Sequence, residues 1–352
     1  MRVMQVVKEL RHGGAETVAL DIMREGVVRE HEQAVVSAPG EWSARFPGRH
    51  YPMGRTSLKP QDILAAARRI RAAVRVFRPD VVHAHSPGTV VAAAVALGPT
   101  RPVPLLTTAH GGYSTGQLSR QGRLYSALKV PVVSCGPGVT SALTAAGYAP
   151  LRTINNGIPA SGQSEDGDRD LVREFDLSAG RGTVIAVGRV DPVKNQEQLL
   201  RAAALLPGVN VLICGDGAAR PGLEELTDSL GLRDRVRFLG MRTDVASLIR
   251  HSDAQVLTSR VEGLPMALLE GMAEGGIVVA TDVLGTRELV EHERNGLLVP
   301  LDDVAALASA LDRALTDGQL RQTLSAGALR TAADYSLQAM TEAYWDLYAE
   351  LA

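Results

Sequence analysis

The sequence predicts an α/β protein of two doubly wound domains, each a parallel sheet with helices on both faces. Three observations carry this. Apolar strand-like runs alternate with helix-like stretches almost to the C-terminus. The strand runs are continuous Val, Ile and Leu, as in parallel strands buried on both faces. The alternation comes in two series, separated by "GIPASGQSEDGDRD" at residues 157–170, a stretch rich in Gly, Ser and Asp. A chain of 352 residues is also longer than one hydrophobic core usually serves.

In the first series "RVMQVV" precedes the helical "AETVALDIMREG", "DVVHAH" precedes "TVVAAAVAL", and "PLLTTAH" and "VPVVSC" follow. The helix "QDILAAARRIRAAVRVFRPD" sets Ile63, Ala67, Ile70, Val74 and Phe77 on one stripe. Arg68, Arg71, Arg75 and Arg78 fall on another, a face suited either to solvent or to an anionic surface. In the second series "TVIAVG" precedes "NQEQLLRAAALL" and "NVLICG" precedes "GLEELTDSLG". "RVRFLG", "AQVLTS" and "IVVATD" follow, each with a helical stretch after it. "SLQAMTEAYWDLYAEL" closes the chain as an amphipathic helix.

Composition narrows the class. The chain is 45% hydrophobic and 22% charged, an ordinary soluble profile. Aromatics are only 4%, so the core must be Ala, Val and Leu. The start, "MRVMQVVKEL", turns charged too early for a signal peptide. The run "TVVAAAVALG" is far short of a membrane span, so a cytoplasmic protein is expected. Cys135 and Cys214 each end a strand-like run and read as buried free thiols, not a disulfide or metal site. The net charge of −2 hides an asymmetry. Residues 1–160 hold 19 Lys and Arg against 9 Asp and Glu, a net of +10; the remainder has 18 against 30, a net of −12. A basic half often faces an anion or an anionic surface.

In open parallel sheets ligands bind beyond the carboxyl ends of the strands, so chemistry is expected in the loops that follow strands. After the first strand, Gly13 and Gly14 open a helix and would let an anion approach its free N–H groups, or simply form a tight turn. The fingerprint G-x-G-x-x-G is absent there, which argues against a dinucleotide dehydrogenase. In "VGRVDPVKNQEQ", Arg189 and Lys194 flank a strand-to-helix turn and suit a diphosphate; the P-loop ending G-K-[ST] is missing. "CGDGAARPG" reads as a plain turn.

"VEGLPMALLEG" is a nearly apolar segment with two carboxylates. Pro265 suits the first helical position, and Met266, Leu268, Leu269 and Met272 form a stripe toward a sheet. Glu262 then lies ahead of the helix, and Glu270 about 7–8 Å further along it. That span fits a sugar nucleotide: one carboxylate on sugar hydroxyls, the other on a ribose diol, with the Gly263 and Leu264 amides facing the anionic middle. The bland reading is a solvated loop acid and a helix acid. His110 ends a strand, where it would hydrogen-bond a substrate or a phosphate, or serve only the fold. His83 and His85 share one side of a strand; with no third ligand nearby a metal is not expected, and His85 is a candidate on the acceptor side.

Together "GGAE", "TTAHG", "VGRVDPVK", "EGLPMALLE" and "NGLLV", in this order, resemble glycosyltransferase family 4, whose members are retaining transferases of GT-B architecture using nucleotide sugars. "EGLPMALLE" looks like that family's E-x7-E motif. The resemblance implies that Gly14 approaches the donor diphosphate, with Gly13 beside it, and that Arg189 and Lys194 hold it. It implies that Glu262 lies near the transferred sugar, that Glu270 binds ribose, and that His110 lies at the sugar's reacting face. It places the base against the "FLGMR" loop with Gly240 and Met241. Many members have Asp after the histidine, where this chain has Gly111; that leaves the approach to the acceptor open.

The resemblance also implies an N-terminal domain of 1–160, on the acceptor side, a nucleotide-sugar domain of 170–334, and a last helix of about 335–352 crossing back to the first. The expected activity is transfer of a hexosyl or N-acetylhexosaminyl group, from a UDP-sugar foremost, without metal or other cofactor. The acceptor is a small soluble molecule or a lipid-linked glycan, with peripheral contact to the inner membrane face through the basic half. No nucleic acid is expected as a partner. Two alternatives stand beside it: a nucleotide-sugar 2-epimerase of the same architecture, and a non-catalytic sugar-nucleotide-binding protein.

Overall fold

The structure, a computed structural model, describes residues 1–11, 13–110, 115–159, 169–180 and 182–352. Gly111 and residues 160–168 of the expected linker lie outside the described residues. The chain divides into two compact units, residues 1–157 with 337–352, and residues 158–336.

The first unit has strands β1 (Arg2–Glu9), β2 (Glu32–Ala38), β3 (Arg49–Pro52), β4 (Val81–Ala84), β5 (Leu105–Ala109), β6 (Val132–Ser134) and β7 (Arg152–Thr153). They form one sheet in the order β3-β2-β1-β4-β5-β6-β7, and every pairing is parallel. Its helices are α1 (Gly14–Val28), α2 (Pro60–Phe77), α3 (Pro87–Leu97), α4 (Thr115–Ala127) and α5 (Pro137–Ala145), together with the C-terminal helix Leu337–Leu351. Both faces of the sheet are covered. On one, α2 and α3 pack over Met4, Val6, Val36 and Val82. On the other, Met340, Tyr344, Trp345, Leu347 and Tyr348 of the C-terminal helix pack over Val3, Val81, Leu106 and Val133.

The expected stripe of α2 is buried at Ile63, Ala67, Ile70 and Phe77, while Val74 is half-buried. Helix α2 stops where Arg78 turns left-handed, at φ 52°, ahead of Pro79. Of the exposed arginine face, Arg71 also ties α2 to its neighbour, since its guanidinium donates to the Ala96 and Val95 carbonyls at the end of α3, at 2.9 and 3.0 Å. Helix α3 begins with Pro87 behind a Ser86–Thr89 capping box.

The second unit has β8 (Gly182–Val187), β9 (Val209–Cys214), β10 (Val236–Gly240), β11 (Ala254–Leu257), β12 (Val278–Thr281) and β13 (Leu297–Val299), parallel throughout in the order β10-β9-β8-β11-β12-β13. Its helices are α6 (Leu171–Glu174), α7 (Gln196–Ala204), α8 (Arg220–Ser229), α9 (Val245–Arg250), α10 (Met266–Ala273), α11 (Leu284–Leu289), α12 (Val304–Thr316) and α13 (Gly318–Ala333). The strand run "VVAT" and the helix stripe Leu268, Leu269 and Met272 are buried, and Met266 is half-buried. Pro265 sits one position ahead of α10 in non-helical geometry rather than in its first turn. Cys135 and Cys214 are both buried. Among the described residues no helix is long and apolar enough to cross a membrane.

Each sheet reverses its winding once, at β1/β4 in the first unit and at β8/β11 in the second. The loops leaving two such neighbouring strands diverge to opposite faces and leave a crevice between them.

Candidate functional site

In the second unit the loops after β8 and β11 are tied together. Asp191 Oδ1 accepts from the N–H groups of Val193 and Lys194, both at 3.1 Å, which folds "DPVK" into a tight turn. The Arg260 N–H donates to the Val193 carbonyl at 2.8 Å, and the Thr258 hydroxyl to the Lys194 carbonyl at 3.0 Å. The Arg260 guanidinium reaches Asp302 at 2.7 Å and Asn195 at 3.1 Å. Asn195 has φ 51°, the left-handed geometry that Asn tolerates, and it turns the chain into α7.

This latch sets Lys194 Nζ 2.5 Å from Glu262 Oε1, with side chains 19% and 9% exposed. Arg189 takes a different partner, Asp191, at 3.0 Å, and is 73% exposed. The expected basic pair is thus divided, because each cation sits nearest its own carboxylate.

Beyond Glu262 the chain runs through Gly263 and buried Leu264 into α10. A Cβ at Gly285 of α11 would lie 2.1 Å from the Gly263 carbonyl oxygen, so only glycine lets α11 support this loop so closely. Glu270 lies on α10 and reaches solvent, yet the protein packed about it raises its carboxyl to about 7. Gly240, at φ 65°, ends β10 and accepts from the Gly215 N–H at 2.8 Å. Next to it Met241 stands 61% exposed, a large apolar side chain facing solvent.

In the first unit, Gly13 and Gly14 open α1 directly after β1. A Cβ at Gly14 would meet nothing within 4 Å among the described residues. His85 follows β4 and His110 follows β5, and their rings meet: His85 Nδ1 lies 3.0 Å from His110 Nε2. Burial lowers the pKa of both, that of His110 to about 4, so both are neutral near pH 7. His83 also points inward and bonds to Tyr348 and Thr108. Among the described residues no three His, Cys, Asp or Glu side chains cluster as a metal ligand set.

The structure therefore joins Lys194 to Glu262 and His85 to His110. Several contacting residues have weak signals in the sequence. Asp191 is legible as an Asp-Pro turn, but Asn195, Arg260 and Asp302 come from three separate segments. Gln5, beneath His85, sits inside an apolar strand run and shows only as a polar residue out of place.

Two family profiles share the chain: "Glycosyltransferase Family 4" matches residues 12–161, and "Glycosyl transferases group 1" matches residues 168–330. Lipopolysaccharide core biosynthesis glycosyltransferase LpsD of Rhizobium meliloti (strain 1021) is 37% identical over 166 residues, 47% of this chain and 48% of that one. Lipopolysaccharide core biosynthesis glycosyltransferase LpsE of the same organism is 28% identical over 350 residues, 96% of each chain. The crystal structure of Anabaena Alr3699/HepE in complex with UDP-glucose shares the fold, with a TM-score of 0.86 over 100% of both chains at 24% identity. Two parallel sheets of this strand order, with both profiles matched in sequence, place the chain in the family 4 type of GT-B glycosyltransferases.

Proposed function

We propose that this glycosyltransferase moves a hexosyl or N-acetylhexosaminyl group from a UDP-sugar to an acceptor hydroxyl, with retention at the anomeric carbon. The observation that carries this reading is Glu262, held by Lys194 at the β8/β11 switch point, with Glu270 on the helix that follows. In this reading Glu270 takes the ribose diol. Lys194, Arg189 and the Gly263 and Leu264 amides stabilise the leaving diphosphate. Gly240 and Met241 border the base.

The bond from the anomeric carbon to the phosphate oxygen breaks, and its electron pair leaves with the phosphate. The acceptor oxygen attacks the same face, and its proton passes to the departing phosphate. No metal or cofactor enters this scheme. Glu262 steadies the sugar and the developing cation without forming a bond to it. Double displacement would instead need Glu262 as the nucleophile.

The bound UDP-glucose of the HepE structure supports a UDP-sugar donor. The names of LpsD and LpsE support a glycan or glycolipid acceptor. The exposed arginines of α2 support contact with an anionic lipid surface.

A thermal-shift screen of UDP-, GDP- and ADP-sugars on the wild type and Glu270→Ala tests the donor, since ligands that bind only the native state raise its melting temperature. One UDP-sugar should stabilise the wild type and lose its effect on the variant. A GDP- or ADP-sugar acting alone would correct the base, and no shift with any would refute the reading.

A further inference from the structure

A continuous chain of hydrogen bonds runs under His110 through the first unit. The Gln5 amide N–H donates to the Tyr348 hydroxyl at 3.2 Å, and Tyr348 lies 2.6 Å from His83 Nδ1. His83 Nε2 lies 2.8 Å from the Thr108 hydroxyl, itself 2.9 Å from the Tyr344 hydroxyl. On its other side, Gln5 Oε1 is 2.7 Å from His85 Nε2, and His85 Nδ1 is 3.0 Å from His110 Nε2. Gln5, His83, His85 and Thr108 are buried, so bulk water does not supply alternative partners.

The protons follow from the chemistry of each group. An amide oxygen only accepts, so His85 Nε2 carries a hydrogen. Burial lowers the pKa of His83, His85 and His110, and a neutral imidazole has one ring hydrogen. His85 Nδ1 is therefore bare and must accept from His110 Nε2. That leaves His110 Nδ1 bare as well. It is buried and has no hydrogen-bond partner among the described residues.

We propose that Gln5 and His85 are positioning residues that hold His110 in its Nε2–H tautomer, so that Nδ1 is preset to accept a hydrogen bond from a hydroxyl of the transferred sugar. This rests on the transferase reading above. It makes His110 a receptor for hydroxyl donors and turns a lone pair against phosphate or carboxylate oxygens. Tyr348 brings the C-terminal helix into the same chain, since its hydroxyl accepts from the Gln5 amide N–H.

The test is long-range proton–nitrogen NMR on the full chain labelled with ring-15N histidine, with the His110 signals assigned by their loss in His110→Gln. The wild type should show His110 protonated at Nε2 and bare at Nδ1 from pH 6 to 8. Turning the Gln5 amide over reverses every bond of the chain and puts the proton on Nδ1; that tautomer, or a mixture, overturns the proposal. UDP-glucose should move the Nδ1 signal in the direction of an accepted hydrogen bond and UDP alone should not; an unmoved Nδ1 with UDP-glucose bound overturns the hydroxyl assignment. Gln5→Leu, if its melting transition stays cooperative, should give mixed His110 tautomers and a kcat about 3- to 10-fold lower, the effect of one misaligned hydrogen bond. Single-tautomer His110 in that variant would remove Gln5 from the relay. The wild-type spectrum decides the tautomer even if the variant fails to fold. An Nε2–H His110 in a protein that transfers no sugar keeps the tautomer and sinks the transferase reading. An Nδ1–H His110 in an active enzyme does the reverse.

Discussion

Replacing Lys194 by Met would separate an ion pair that helps hold the candidate site from one that merely decorates it. The two charges approach to 2.5 Å, and the side chains are 19% and 9% exposed. Exposed pairs contribute roughly 0–1 kcal/mol, while breaking a fully buried pair costs about 3–5 kcal/mol, because the remaining charge is left uncompensated. With Glu262 the more enclosed partner, and with no other hydrogen-bond partner for its carboxylate among the described residues, the loss should fall between, at about 2–3 kcal/mol. For a unit the size of residues 158–336, this corresponds to a melting shift of about 4–10 °C. Glu262→Gln in the Lys194→Met background removes the stranded charge and should restore about 1–2 kcal/mol. Calorimetry of the wild type, both single variants and the double variant closes the cycle. A Lys194→Met chain within about 0.5 kcal/mol of the wild type, or a double variant no better than the single, would show that solvent already screens the pair.

Three further outcomes follow from other parts of the molecule. Glu270, raised to about 7 from a usual 4.5, keeps a proton that the unfolded chain has released, so its contribution to stability falls as pH rises between those values and is level above 7. Under the proposed ribose role only the carboxylate binds well. UDP-glucose affinity should therefore rise up to about tenfold per pH unit below 7, with proton release in calorimetry; equal affinity at pH 6 and pH 8 would refute that role. Gly285→Ala would push a Cβ to 2.1 Å from the Gly263 oxygen and 2.8 Å from the Glu262 carbonyl carbon; it should cost about 1–3 kcal/mol and lower kcat/KM, and wild-type kinetics would show that this loop need not be held so closely. Trp345→Ala, in a side chain 3% exposed whose indole N–H donates to the Ile22 carbonyl at 3.3 Å, should cost about 3–5 kcal/mol in urea unfolding; a loss under 1 kcal/mol would mean that the C-terminal helix barely stabilises the first unit.

What the sequence made legible follows from what each pattern encodes. Continuous apolar runs mark buried parallel strands, so β1, β4, β5, β8, β9 and β11 stand out. The edge strands β3 and β7 do not: "RHYP" and "RT" are short and largely polar, because an edge needs no apolar run on both faces. Strand β2, "EQAVVSA", is central and buried, but its apolar core is short and flanked by polar residues. The helix stripe of α10 is readable, yet its first residue is not. Pro265 suits a first turn, but here its ψ of 84° holds it just outside.

Contacts between distant segments are a different kind of information. Nothing in the spacing of Lys194 and Glu262, 68 residues apart, says that they touch. They meet because β8 and β11 are neighbours in the sheet although β9 and β10 lie between them in sequence. Each loop alone offers an ordinary charge, and the strand order turns the two into a site. The same holds for Gln5 and Tyr348, 343 residues apart, one in the first strand and the other in the last helix. A polar residue within an apolar strand is a puzzle that only the helix folded across that strand resolves. The residues that carry a motif are thus written locally, while the groups that set their charge and tautomer are chosen by topology. The stronger tests of this protein lie in those second groups, since Gln5 and Asp302 have no motif to recommend them and stand or fall on geometry alone.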